Sequence, residues 1–307
     1  LCALAVLFVI ISYYQIRISN IKIKRRNEKI NQQNEIIEEK NQEIVDSITY
    51  AKRIQDAILP SSMISKELPN CFVHYQPKDI VSGDFYWMKT LGEKLLIAAV
   101  DCTGHGVPGG FVSMVGYSGL NRAVSEYQLT EPAEILEKLS ELVTESFDDG
   151  SDTGIKEGMD AAICSVDQTN LKLHFSGAHN PLYIIRHNNK PLKSPSGELI
   201  EVKSLEALNE IKGTRRPVGS SDYKQPFVNK EIQLEKGDII YLFSDGYPDQ
   251  FGGPRGKKLM YKPFKRILLE NSRLPMHEQK EKLELKFNSW STGYAQIDDI
   301  CIIGIKV

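Results

Sequence analysis

Four acidic positions in this chain stand where acidic residues are unusual. Asp84 lies between "VSG" and "FYW", and Asp101 ends the apolar run "LLIAAVD". Asp245 ends "DIIYLFSD" and is followed by Gly246, while Asp298 and Asp299 precede the last apolar run, "ICIIGIKV". Aspartate is a poor strand residue, and an unpaired carboxylate beside a core is costly. Several such carboxylates brought together would repel one another unless cations held them. Mg²⁺ and Mn²⁺ prefer oxygen ligands of this kind. Each aspartate taken singly also reads as a turn, capping or solvated residue. The recurrence of strand, Asp and Gly turn is what points to a metal. The turn after Asp101, "CTGHGVPGG", carries Gly104, His105 and Gly106. Glycines there let backbone approach a ligand closely, and the ligand is a metal or a phosphate. His105 reads either as a contact to bound phosphate or water, or as a structural side chain.

These residues need a frame. "LLIAAVD", "AAICSVD", "LKLHFSGA", "PLYIIR", "DIIYLFSDG" and "ICIIGIKV" read as short strands. "EPAEILEKLSELVTESF" reads as an amphipathic helix, with Pro132 near its start and Ile135, Leu136, Leu139, Leu142 and Val143 on one face. Further helices are expected over Val112 to Tyr127 and within Met276 to Trp290. Lys190 to Asp222 reads as loop with a short helix at Leu205 to Ile211. Many strands, few helices and no βαβ rhythm predict an α+β fold on antiparallel sheet.

The N-terminal part has a different character. Leu1 to Ile11 is almost wholly apolar, Tyr13 and Tyr14 follow, and then come Arg17, Lys22, Lys24, Arg25 and Arg26. Basic residues after an apolar span place that side in the cytoplasm. The run is shorter than the roughly 20 residues a span needs. Residues 1–18 therefore read as the tail of a transmembrane helix, in a segment cut from a longer protein whose sensor lies upstream. Asn20 to Leu59 reads as one long helix, with no Gly or Pro before Pro60. Ile23, Ile30, Ile37 and Ile44 recur every seven residues, each three after Asn27, Asn34 or Asn41 where those occur. That is a heptad seam with Asn at a and Ile at d, which predicts a parallel coiled-coil dimer over residues 19–60. The competing reading is a solvated linker helix. Ile48, Ala51, Gln55 and Ile58 continue the seam, with Ile54 and Leu59 apolar off it. This last stretch is either a plain spacer or a switch that presses on the domain after it.

Composition excludes other classes. The 307 residues are 41% hydrophobic and 25% charged with a formal net charge of −2, so no electrostatic case for nucleic acid arises. Five cysteines, Cys2, Cys71, Cys102, Cys164 and Cys301, form no CxxC pair, which fits a reducing compartment rather than a disulfide framework or zinc site.

Seven segments, in order, carry a family resemblance: "VSGDFYW", "AAVDCTGHGVPGGFVSMVG", "GMDAAICSVD", "FSGAHNPLYIIR", "RRPVG", "KGDIIYLFSDGYPDQFGG" and "QIDDICIIGIKV". They resemble the stage II sporulation protein E and RsbU-like branch of the metal-dependent PP2C (PPM) serine/threonine phosphatases, over about residues 70–307. "AKRIQDAILPS" is similar to the linker helix of such proteins. The resemblance implies an antiparallel β-sandwich flanked by α-helices, with two Mn²⁺ or Mg²⁺ ions at one end. It implies Asp84, Asp101, Asp245 and Asp298 as ligands, Asp101 bridging, with the Cys102 carbonyl contributing. Asp160 and Asp249 match positions that hold a third, weaker ion in related phosphatases, although Asp249 reads equally well as a turn residue. Gly104, His105 and Gly106 would meet the substrate. One departure concerns the phosphate: many PP2C enzymes place an Arg upstream of the first ligand, and here the nearest basic residue is Lys78.

Three functions follow from these readings. The first is a membrane-tethered phosphatase acting in the cytoplasm on phosphoserine or phosphothreonine, with a STAS-type (anti-anti-sigma) protein as the substrate the family suggests. The second is a pseudophosphatase that only binds a partner, and the third is a hydrolase of small phosphoesters.

Overall fold

The computed structural model describes residues 2–60, 68–147, 157–188, 190–219 and 225–307. The chain divides into two units, Leu1–Ala51 and Lys52–Val307. The first belongs to a single helix, α1 (Cys2–Ile58), unbroken because no Gly or Pro interrupts it before Pro60. By length and composition this helix is apolar enough to cross a membrane. Ile23, Ile30, Ile37 and Ile44 are each about half exposed along it.

The second unit is a sandwich. One sheet has the order β1-β13-β10-β6-β8-β7 and the other β2-β3-β4-β5-β9. The strands are β1 (Cys71–Gln76), β2 (Phe85–Leu91), β3 (Lys94–Cys102), β4 (Met159–Asp167), β5 (Lys172–Ala178), β6 (Leu182–Ile185), β7 (Lys203–Leu205), β8 (Leu208–Ile211), β9 (Lys230–Gln233), β10 (Ile239–Phe243) and β13 (Ile300–Lys306). All named neighbours within these two sheets pair antiparallel. A separate hairpin joins β11 (Phe251–Gly252) to β12 (Lys257–Lys258).

Both faces of each sheet are covered, which is why the central strands read as unbroken apolar runs rather than alternating ones. Met88, Ile97, Cys164, Ile184, Leu242 and Ile303 pack between the sheets. Trp87, Leu96 and Ala98 turn outward against α2 (Gly106–Ser125) and α3 (Pro132–Phe147), meeting Leu120, Leu136 and Leu139. Tyr183, Tyr241 and Phe243 turn outward on the other sheet. They pack on Phe264 of α5 (Tyr261–Asn271) and on Leu283 and Phe287 of α6 (Met276–Trp290). A short helix, α4 (Gly246–Asp249), follows β10. The architecture is α+β, as the strand pattern predicts.

Three local expectations change. The helix expected at Leu205 to Ile211 is a strand turn, with β8 pairing both β6 and β7. Leu208–Ile211 lies between β6 and β7, and those tertiary partners override local propensity. The helix expected from Val112 starts earlier, at Gly106. Helix α5 lies where no element is expected; its Pro263 sits in the first turn, where proline is tolerated.

Candidate active site

Strand register assembles the acidic group. Asp101 and Asp160 are opposite one another where β3 pairs β4. Phe85 pairs Val100, so Asp84, one residue earlier, comes alongside Asp101. In the other sheet Phe243 pairs Ile302, bringing the end of β10 with Asp245 to the start of β13 with Asp298 and Asp299. The carboxylates of Asp298 and Asp245 act on both Asp84 and Asp101, so the two sheets deliver them to one end of the sandwich. Asp249 joins through α4, its N–H donating to the Asp245 carbonyl at 3.0 Å. Cys102 is buried at the end of β3, beside Asp101.

The backbone permits this only through close approaches. A Cβ on Gly83 would stand 2.2 Å from the Gly104 carbonyl oxygen. One on Gly246 would stand 1.9 Å from the Asp299 carbonyl oxygen. Both glycines adjoin an acidic residue of the site, so no side chain is possible there without moving it.

At Asp84 and Asp101 the acidic side chains are met chiefly by other carboxylates. Burial pushes the Asp84 and Asp101 carboxyls well above the usual carboxylate range, and the neighbouring carboxylates push them further. Asp84 is 2% exposed and its Oδ2 has no hydrogen-bond partner. Asp245 is raised to about 6, by burial first and then by Asp249, Asp298 and Asp160. Burial also raises Asp298 and Asp160. Among the described residues no group of three or more His, Cys, Asp or Glu side chains is already gathered closely enough to hold an ion. The fit rests on chemistry instead. The charges that act most on Asp84 and Asp101 are all carboxylates, and one buried oxygen is an orphan. Oxygen-seeking divalent cations answer both conditions.

The Asp298–Asp299 pair divides its labour, which the sequence does not show. Asp299 is buried and clamps a loop: its Oδ1 accepts from Lys78 N and its Oδ2 from Gly83 N, both at 2.7 Å. Asp298 is half-buried, with one oxygen accepting from Asp299 N. The clamped loop faces the turn after Asp101. There Lys78 Nζ donates to His105 Nε2 at 2.8 Å, and His105 Nδ1 donates to Asp79 Oδ2 at 2.6 Å. His105 is the N-cap residue of α2, yet its side chain makes no cap bond. Gly104 and Gly106 on either side take φ +82° and +65°, left-handed values that suit glycine.

Gln55 reads as a heptad position but is buried within the second unit, bonded to Ser82 and Ser113. A polar residue in a helical seam gives no sign of this.

Comparisons with known proteins agree with the geometry. The family model described as stage II sporulation protein E (SpoIIE) matches residues 92–307. The phosphoserine phosphatase RsbU of Bacillus subtilis is 26% identical over 206 residues, 67% of this chain and 54% of its own length. The chain thus spans about half the length of that curated relative. The SiaA-PP2C domain of Pseudomonas aeruginosa superposes with a TM-score of 0.75 at 30% identity, over 87% of this chain and 98% of that one. The PP2C phosphatase domain of SpoIIE from Bacillus subtilis, with a fragment of its regulatory domain, superposes with a TM-score of 0.56 over 77% of this chain and 61% of that one. At 17% identity this last likeness speaks for the fold alone. By sequence match, by fold and by the order of its acidic motifs, this chain belongs to the SpoIIE family, in the SpoIIE/RsbU-like branch of the PP2C-type phosphatases.

Proposed function

We propose that the chain is a serine/threonine phosphoprotein phosphatase whose Asp84, Asp101, Asp245 and Asp298, with the Cys102 carbonyl, hold two Mn²⁺ or Mg²⁺ ions. The observation that carries this reading is the 2% exposed Asp84 carboxylate, whose Oδ2 has no partner and whose main charged neighbours are all carboxylates. A buried cluster of this kind persists when a ligand holds it. Bound there, divalent ions would acidify a water and draw charge from a phosphoryl group. The chain's own residues do the rest. Asp84, buried ahead of β2, and Asp101, part-buried on β3, would fix the position of the centre. Lys78 presents an ammonium beside His105, at the uncapped start of α2, where a phosphoryl oxygen gains from both cation and helix terminus. Lys78 is thus the nearest substitute for the arginine that the sequence lacks.

RsbU is named a phosphoserine phosphatase, which favours a phosphoserine-bearing substrate; the choice of a phosphoprotein of STAS type rests on the family resemblance. Helix α1 supplies a membrane tether through its apolar start and a homodimer through its isoleucine seam. A pseudophosphatase is disfavoured, because an inactive module has no use for one buried and three part-buried acids whose ionisation is opposed by their surroundings. The decisive assay compares turnover of a phosphoserine protein with a panel of small phosphoesters, with and without Mn²⁺. Turnover of the panel alone would favour the small-molecule reading, and none with Mn²⁺ on any substrate would overturn the enzymatic one.

A further inference from the structure

Two carboxylates at the edge of the centre differ from the other four. Asp160 and Asp249 are the pair matched to a third ion, yet each already has a basic partner from this chain. Lys258 Nζ lies 2.7 Å from Asp249 Oδ2. His179 Nδ1 lies 3.0 Å from Asp160 Oδ1 and 3.2 Å from its Oδ2.

Both partners are exposed side chains, but the backbone that carries each is fixed. After α4 the chain turns into the β11–β12 hairpin, where Lys258 pairs Phe251. Backbone bonds from Leu259 N to the Gln250 carbonyl (3.0 Å) and from Met260 N to the Pro248 carbonyl (2.6 Å) bring the returning strand back over α4. Gln250 is fully buried and anchors the base of the hairpin to the Ala295 carbonyl and to Trp290. The hairpin therefore delivers the Lys258 ammonium to Asp249, and the fields of Asp245 and Asp298 reach it there as well. His179 follows β5 with φ +55°, a left-handed value that costs a non-glycine residue energy. Its N–H donates to the Thr214 carbonyl at 2.8 Å, which holds that conformation. A strained residue held in this way points its ring at Asp160.

The charges then count as follows. Asp84, Asp101, Asp245 and Asp298 carry four negative charges when ionised, matching two divalent ions. Asp160 and Asp249 are met by an imidazole N–H and an ammonium. A third dication would have to displace the ammonium from Asp249 and would gain little for it.

We propose that Lys258 and His179 stand in for a third metal ion, so that the centre of this chain is built for two ions and excludes the third. This inference rests on the two-ion reading given above and departs from the third-ion expectation drawn from the resemblance. A tethered ammonium cannot dissociate, so the outer part of the site keeps its charge balance when free divalent ions are scarce.

The test is a count of Mn²⁺ bound to the full 307-residue chain in mild detergent, by equilibrium dialysis with elemental analysis through the millimolar range. The unaltered chain should hold two ions. Lys258→Met should gain a third, with its apparent Kd lowered about tenfold or more, because a competing positive charge is gone. Lys258→Arg should stay at two, and adding Asp249→Asn to Lys258→Met should remove the third again. Three ions on the unaltered chain, or two on Lys258→Met, would overturn the inference while leaving the two-ion centre standing. Fewer than two on the unaltered chain would overturn the centre itself.

Discussion

Gln55 near the end of α1 holds both backbone groups of Ser82, two residues before Asp84. Its Nε2 donates to the Ser82 carbonyl at 2.7 Å, and its Oε1 accepts from Ser82 N at 3.1 Å. The same Nε2 lies 3.0 Å from Ser113 Oγ, on α2. One buried amide thus ties the helix end to the strand entry that carries Asp84 and to the helix that starts after Asp101. Gln55→Ala strands a buried donor and acceptor, each costing about 1–3 kcal/mol. The variant should melt lower and should need more Mn²⁺ for half-maximal turnover. Thermal melts and a Mn²⁺ titration of activity check this, and an unchanged Mn²⁺ requirement would show that Gln55 does not position the site.

The buried acids should oppose stability while serving turnover. Asp101→Asn removes a carboxyl that burial first, and then its carboxylate neighbours, hold well above the usual carboxylate range. In chelator near neutral pH, this variant should melt higher than the unaltered chain, since an acid whose ionisation the fold opposes is replaced by an amide that need not take up a proton. With Mn²⁺ it should lose nearly all activity, as should Asp245→Ala. Asp299→Asn should do the opposite to stability, because one of its oxygens becomes an N–H group facing the Lys78 or Gly83 amide. Substantial turnover by Asp101→Asn with normal metal content would remove Asp101 from the centre.

The pH dependence of the metal-free chain has a defined sign. Asp245 rises from an ordinary 3.8 to about 6 in the folded state. Between those values the native state binds more protons than the unfolded chain, so stability falls as pH rises through that window. Asp84 and Asp101, raised in the same direction, extend the fall upward. Melts in chelator should therefore give a lower Tm near pH 7 than near pH 5, on the order of a few degrees for a domain of this size. Mn²⁺ should flatten or reverse the slope. A Tm that rises with pH in chelator would contradict the unpaired cluster.

Lys78→Met should raise KM for a phosphoprotein by about tenfold, the loss of one charge-assisted contact. The bound-metal count should not change, because Lys78 contacts His105 rather than the four ligand aspartates. Steady-state kinetics beside metal analysis separates the two effects. An unaltered KM would return Lys78 to a purely structural role.

The isoleucine seam predicts a dimer. A chain beginning at Asn20 should sediment as a dimer at tens of micromolar, and one beginning near Pro69 should not. Asn34→Leu should stabilise the helix pair while loosening its register. A monomeric Asn20 chain at that concentration would leave α1 as a solvated linker.

The strands that carry the site were legible because their chemistry is local. "LLIAAVD" and "DIIYLFSD" are apolar throughout since both faces of their sheets are covered, and each ends in an acid that its own strand cannot justify. Helix α3 declared itself through an apolar stripe opposite a charged face. Other features depended on partners far away in sequence. Leu208–Ile211 is a strand because β6 lies beside it, not because its four residues prefer to be one. Asp298 and Asp299 are the same residue type at adjacent positions, and only the placement of Lys78 N and Gly83 N makes Asp299 a clamp. Gln55 sits in a seam by period and in a core by packing. Asp249 and Asp160 acquire Lys258 and His179 through a hairpin and a strained turn that no spacing rule records. Periodicity reports which groups must leave water. Which of them then meet, and whether a carboxylate finds an ammonium or only other carboxylates, is decided by the packing of the sheets and their loops.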